Sequence, residues 1–302
     1  MKYIQCFPLY NAKPLCRLIR YALRANAGIL LDLEDSILDI YSRKRTYEYK
    51  SAARDTLLDL APFIKDIPQI HIRINAVSSI YFEQDINCLK KLKDIVWESI
   101  FIPKFENQED ITKLITILDS NEIKYRSLSP IIETVAGYDF MINDYEATPS
   151  HRFGTAYFGN YDYNLSIANE QLIEQDNDLY WQTVLPLINK VEHHGLRYGN
   201  SPYTKLSDMD TLLRSMQILE STCLHVPTQI CLSINQPRVA NAFVEKSITA
   251  PNTQKINREG QGILASTYKP LSGRSFAFDT VSQKITTPHE FLMNDRYQKV
   301  GL

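Results

Sequence analysis

The chain has 302 residues, 44% hydrophobic and 23% charged, with a formal net charge of −2. That is long enough for one large α/β barrel or two medium domains. The charge balance excludes a chain that binds nucleic acid or anionic lipid through net positive charge, and the longest apolar runs fall far short of the ~20 residues that span a bilayer.

In chain order, short apolar runs rich in β-formers recur, each with the length and flanks of a strand. They are KYIQCF (Lys2–Phe7), ILLDLE (Ile29–Glu34), IHIRIN (Ile70–Asn75), SIFIPK (Ser99–Lys104), LSPIIE (Leu128–Glu133), AYFGN (Ala156–Asn160), LRYGN (Leu196–Asn200) and TCLHV (Thr222–Val226). Helical patterns fill the gaps, among them PLCRLIRYALRA, DINCLKKLKDIVW, QEDITKLITILDSN and DTLLRSMQILES. This alternation predicts a closed parallel TIM (β/α)8 barrel over residues 1–230, with an open doubly wound sheet as the alternative.

Residues 231–302 then read as a C-terminal helix and an appendage packing on the barrel or on a neighbouring subunit. Within it, Asn252–Gly262 has the composition of an exposed polar loop, STYKPLSGRSFAFDTVSQKITTPHEFLMND reads as a hairpin-like strand pair, and a short helix is expected near Pro288. The first residues, MKYIQCFPLYNAKP, hold no unbroken apolar stretch of signal-peptide type. The five cysteines are dispersed with no CxxC pair, which fits a cytoplasmic chain better than a disulfide framework or a zinc site.

In a barrel of this kind, reactive groups sit at the carboxyl ends of the strands. Asp32, Glu34 and Asp35 end the second predicted strand, Arg73 and Asn75 the third, Lys104 the fourth and Glu133 the fifth; Asp162 follows the sixth. Period-2 alternation puts Ile70, Ile72 and Ile74 on one face and His71, Arg73 and Asn75 on the other. The expected mouth therefore gathers the acids of strand two, Arg73, Lys104 and a cation held by Glu133 and Asp162. Each residue also has a structural reading: Glu34 or Asp35 capping the next helix, Arg73 paired with Asp32, Lys104 in a buried ion pair. The histidines of EHHG (Glu192–Gly195) point in different directions on a helix and read as a solvated helix end. His225 is expected to end strand eight. No nucleophile elbow, P-loop or GxGxxG segment occurs.

The ordered set LLDLEDS, IRIN, FIPKFENQEDI, PIIET and FGNYDYN, followed by LHVPTQI and SFAFDTVSQKITTPHEF, resembles the citrate lyase β-subunit-like proteins of the HpcH/HpaI aldolase and malyl-CoA lyase superfamily. The resemblance implies a TIM barrel in a homo-oligomer, a trimer or hexamer. It implies Mg²⁺ held by Glu133 and Asp162, a substrate carboxylate gripped by Arg73, and Glu34, with Asp35, beside the metal-bound water. The expected roles are then catalytic for Glu34 and Asp35, substrate-binding for Arg73, Lys104 and Asn75, and metal-ligating for Glu133 and Asp162. The implied activity is Mg²⁺-dependent carbon–carbon cleavage or aldol chemistry on a small oxo- or hydroxy-carboxylate, with the CoA thioester left open. The alternative is a non-catalytic barrel that binds a metal–carboxylate ligand or an assembly partner.

Two stretches depart from the family pattern. FPLYNAKP stands where a PGNRP-like segment supplies an arginine to the CoA or carrier arm, with Lys13 its nearest substitute. KITTP carries Thr286 where the family's tail aspartate would fall, and a hydroxyl near pKa 15 does not replace a carboxylate in acid/base work. Tyr161, Tyr163 and His225 are the remaining candidates for that work.

Overall fold

A computed structural model of the chain shows a closed barrel of eight parallel strands in sequence order, sealed by pairing of the first strand with the eighth. The strands are β1 (Lys2–Pro8), β2 (Gly28–Asp32), β3 (Ile70–Arg73), β4 (Trp97–Ile102), β5 (Tyr125–Ile132), β6 (Thr155–Phe158), β7 (Arg197–Asn200) and β8 (Thr228–Cys231). Helices α1 (Ala12–Arg24), α2 (Arg43–Ile64), α3 (Phe82–Leu89), α4 (Gln108–Ser120), α5 (Val135–Asp139), α6 (Asn160–Ser166), α7 (Asp178–His193), α8 (Met209–Thr222) and α9 (Asn235–Lys246) lie between and after them. The structure describes residues 1–246 except 10, 40, 149–150 and 168–171, together with 277–279 and 284–286. Those last two segments are an antiparallel pair, β9 (Ala277–Asp279) and β10 (Lys284–Thr286). The polar loop expected at 252–262 and the helix expected near Pro288 lie outside the described residues. No helix among the described residues is long and apolar enough to cross a membrane.

The eighth strand is a correction. TCLHV is not a strand: α8 runs through Thr222, and the chain reaches β8 only at Thr228, after Pro227. The strand itself is TQIC, where Thr228 and Ile230 line cavities inside the barrel. His225 therefore lies before the strand, at the amino end of the barrel and far from the mouth. It is exposed, with Nδ1 3.5 Å from Glu192. Glu192 is buried and accepts the backbone N–H groups of Leu224 and His225, and His194 packs edge-on against Tyr145, so EHHG is more than a solvated helix end.

Alternation along the strands divides the core. Ile29, Leu31, Ile70, Ile72 and Ile100 face outward and pack with helix residues such as Leu57, Leu60 and Leu114. Facing inward, Ile4, Leu30, Phe101, Ile131, Tyr157 and Ile230 form an apolar plug midway up the barrel. A Cβ at Gly199 would come within 2.1 Å of the Tyr157 ring, so only glycine leaves room for it. Polar residues line a mouth on one side of the plug and a smaller chamber on the other.

Candidate active site

Asp32 and Arg73 are the last residues of β2 and β3 and lie in register. Their side chains form a two-bonded fork, Nε to Oδ1 at 2.7 Å and Nη2 to Oδ2 at 2.6 Å. Asp32 also accepts the N–H of Glu34 at 2.9 Å and of Ser36 at 3.1 Å, which turns the chain sharply back after β2. Glu34 in turn caps the short 3-10 turn Asp35–Ile37 through the N–H of Asp35. The capping role and the Arg73–Asp32 pair are thus both present. Neither removes these groups from the mouth: Arg73 Nη1 lies 3.1 Å from Glu34 Oε2 and 3.9 Å from Asp35 Oδ2.

Lys104 follows β4 with φ of 52°, a left-handed conformation that costs an L-residue roughly 1–2 kcal/mol. Its N–H donates to Glu133 Oε1 at 2.7 Å, which ties the turn after β4 to the residue that follows β5. Its ammonium stands 3.6 Å from Glu34 Oε1 and 3.8 Å from Asp162 Oδ2. Asp162 sits in the first turn of α6, where an acid suits the helix end. Gly159 completes this wall: an added Cβ would lie 2.4 Å from Glu133 Cβ and 2.7 Å from Glu133 Oε2.

Five carboxylates, those of Asp32, Glu34, Asp35, Glu133 and Asp162, thus face two basic heads. The surplus shows in their protonation. Burial would raise Asp32, but the charge and hydrogen bonds of Arg73 overcome it and hold the carboxyl below its ordinary value. Burial and then the charge of Asp35 push Glu34 up to about 8. Burial and Asp35 likewise raise Asp162 to about 7. Burial and Asp162 raise Glu133 well above the carboxylate range. Lys104 is held charged, first by Asp35 and Glu34.

The mouth therefore brings together Glu34, Asp35, Arg73, Lys104, Glu133 and Asp162. It does not take in Asn75, whose carboxamide faces away from the mouth. There its amide donates to Leu33 O at 3.0 Å and Asp85 Oδ2 at 2.6 Å, and its oxygen accepts from Lys50 Nζ at 2.7 Å. His71 shares the inward parity of Arg73 but lies two residues lower, about 7 Å down the strand, and lines the opposite chamber. Lys50 is the residue that sequence reasoning missed. Buried behind the turn, it donates to the carbonyls of Leu33 and Glu34 at 2.9 and 3.0 Å. An Arg54–Asp85 pair at 2.8 Å backs it.

The donor chemistry fits a hard divalent cation, since every candidate ligand is a carboxylate oxygen. Gly159 leaves open the space beside Glu133 Oε2 that a side chain would fill. Among the described residues no three acidic, histidine or cysteine side chains converge tightly enough to cage an ion alone. A two-carboxylate set completed by water and substrate oxygens is the pattern Mg²⁺ favours. Below the acids, the cavity floor is apolar, formed by Leu30, Phe101, Ile131 and Ile230.

The citrate lyase β subunit of M. tuberculosis, complexed with oxaloacetate and magnesium, superposes with a TM-score of 0.61 at 16% identity, covering 80% of this chain and 95% of its own. CitE of M. tuberculosis with magnesium, acetoacetate and coenzyme A gives 0.62 at 16%, covering 100% and 98%. RipC of Yersinia pestis gives 0.58 at 17%, covering 84% and 98%. At these identities the likeness is one of fold. No curated protein sequence matches the chain. The family model described as HpcH/HpaI aldolase/citrate lyase matches residues 18–190, more than half of the chain, and the chain belongs to that family.

Proposed function

We propose that this barrel is a Mg²⁺-dependent carbon–carbon lyase or aldolase acting on a small oxo- or hydroxy-carboxylate. The observation that carries the reading is the surplus of buried carboxylates around Lys104 at one rim, with Glu133 seated against Gly159. Glu133 and Asp162 would hold the metal. When bound, Mg²⁺ supplies a Lewis acid that polarises a carbonyl and offsets developing oxyanion charge. Arg73 keeps its fork on Asp32 and presents Nη1 to the mouth, where a substrate carboxylate would displace or share the contact with Glu34. Lys104 adds a second positive head. Glu34 and Asp35, from this chain's own turn after β2, would exchange the proton, a role Thr286 does not fill.

The magnesium, oxaloacetate, pyruvate and coenzyme A held by the M. tuberculosis proteins set the assay panel. The purified chain is incubated with Mg²⁺ and small 2-oxo or 3-hydroxy acids, free and as CoA thioesters, and cleavage or condensation is followed. Glu133→Gln should lose about a hundredfold or more in kcat/KM. Activity that survives both Glu133→Gln and chelation would refute the assignment. Thr286 motivates the second reading, a barrel that binds the metal and a carboxylate without turnover; calorimetric binding with no product from any panel substrate would select it.

A further inference from the structure

We propose that the amino end of the barrel holds a second site, for a small tetrahedral oxyanion of the phosphate class. Below the apolar plug lies a cavity of about 60 Å³. One water needs roughly 10–15 Å³ on that measure, so the space suits a group of four or so oxygen-sized atoms. Barrel interiors are usually packed with branched apolar side chains. This layer instead carries hydroxyls, those of Ser99, Ser127, Ser129, Thr155 and Thr228.

Its charge is positive. Lys2 and Arg197 both line it, and neither has an acidic partner within ion-pair distance among the described residues. Glu98 is the acid on the wall, and it is turned to Arg126 at 3.3 Å. A Cβ at Gly154 would lie 3.0 Å from Ser127 Oγ and 3.6 Å from Arg197 Nη2, so that hydroxyl and guanidinium share one wall. His71 is only 8% exposed, and its Nδ1 has no hydrogen-bond partner. Burial and then Lys2 and Arg197 hold its ring neutral, down to about 3. The buried ring nitrogen left without a partner is costly, and the two unmatched cations on the same wall favour an acceptor-rich anion beside it. Phosphate brings four oxygens, and guanidinium and ammonium heads are its usual partners. Tyr157 is the residue common to the walls of this chamber and the mouth, its hydroxyl beside Thr155 and Thr228. The inference does not rest on the chemistry proposed for the mouth.

Calorimetric titration of the full chain with inorganic phosphate, in buffer free of phosphate and Mg²⁺, tests it. Saturable one-site binding is expected, weakened about tenfold or more by Arg197→Gln. Lys2→Gln, an exposed change that the fold tolerates, should weaken it about threefold. A titration with glycerol 3-phosphate distinguishes the sources: comparable affinity means the phosphate group of a larger ligand, and a loss of tenfold or more means the free anion. Absence of saturable binding overturns the proposal. So does binding that both variants leave unchanged, or binding that Arg73→Gln abolishes while Arg197→Gln does not, since the anion would then sit in the mouth.

Discussion

Lys50→Met isolates the scaffold behind the acids. Met matches the length of the lysine stem and removes the ammonium. In the native chain Nζ donates to Leu33 O at 2.9 Å, Glu34 O at 3.0 Å and Asn75 Oδ1 at 2.7 Å, with the residue 3% exposed. Leu33 O keeps the Asn75 amide as a donor after the change. Glu34 O likewise keeps the N–H of Ile37 at 2.9 Å, so Asn75 Oδ1 is the acceptor left unmade, at about 1–3 kcal/mol. The cation over the Tyr81 ring, 5.1 Å from its centroid, is lost as well. Against this, the variant no longer desolvates an ammonium, the effect that depresses Lys50 in the native chain. The net expectation is a loss of about 1–3 kcal/mol. At about 2–4 °C per kcal/mol for a domain of this size, the melting temperature falls by about 2–12 °C. Differential scanning calorimetry reads that fall, and Mg²⁺-dependent turnover at 20 °C reads whether the turn bearing Glu34 has loosened. A shift under 2 °C with unchanged turnover would show that Lys50 does not hold this turn.

Gly159→Ala forces a methyl group to 2.7 Å from Glu133 Oε2, and should cost about 1–3 kcal/mol as overpacking while weakening Mg²⁺ affinity measured by calorimetry. Its control is Gly195→Ala, where φ is +73° but nothing lies within 4 Å; stability should fall there with Mg²⁺ affinity intact. Arg73→Lys keeps the charge but cannot reproduce both bonds to Asp32, so kcat/KM should drop about a hundredfold, and a drop under threefold would deny the fork its role. His71 gives a pH signature. Its folded value, about 3, lies below the ordinary 6.5, so the unfolded chain binds the extra proton between them. Its contribution is therefore complete above pH 6.5 and fades as pH falls toward 3, at up to about 1.4 kcal/mol per unit. Lys2, Arg197 and Glu98 are the charged groups that share its chamber. His71→Gln should flatten the fall in unfolding free energy between pH 6.5 and 4 relative to the native chain, measured by urea denaturation without phosphate; parallel profiles would refute this.

The fold was legible because period-2 runs and amphipathic stretches alternate, each pair the size of one strand-plus-helix unit, and seven of the runs overlap the strands that form. The eighth failed at a boundary. Thr222–Val226 is rich in β-formers, yet α8 ends at Thr222, and the residues after it are neither helix nor strand until Thr228, past Pro227. The mouth was legible through Asp32, Arg73, Glu133 and Asp162 because strand ends mark it. Height was not. Parity tells which face a residue occupies but not its level along the barrel, so His71 and Arg73 looked equivalent and Asn75 looked like part of the rim. Lys50 did leave a signal. Thr46, Lys50, Ala53, Leu57, Leu60 and Ile64 form the buried stripe of α2 at spacings of three and four, and a lysine inside such a stripe needs acceptors in the core.

The distribution of polarity along the barrel axis follows from the same physics. An apolar plug between the two polar layers keeps the dielectric low beneath the mouth, so charges there act on one another strongly. That is why five carboxylates near two cations push Glu34 and Asp162 toward neutrality. Such a cluster opposes folding, and hydrophobic residues at the same positions would be more stable. It persists because the turn after β2 is held from behind, by Lys50 on its carbonyls and by Asn75 and Asp85 against Arg54. The rim's acids are thereby held in place from behind, with fewer positive heads than carboxylates around them.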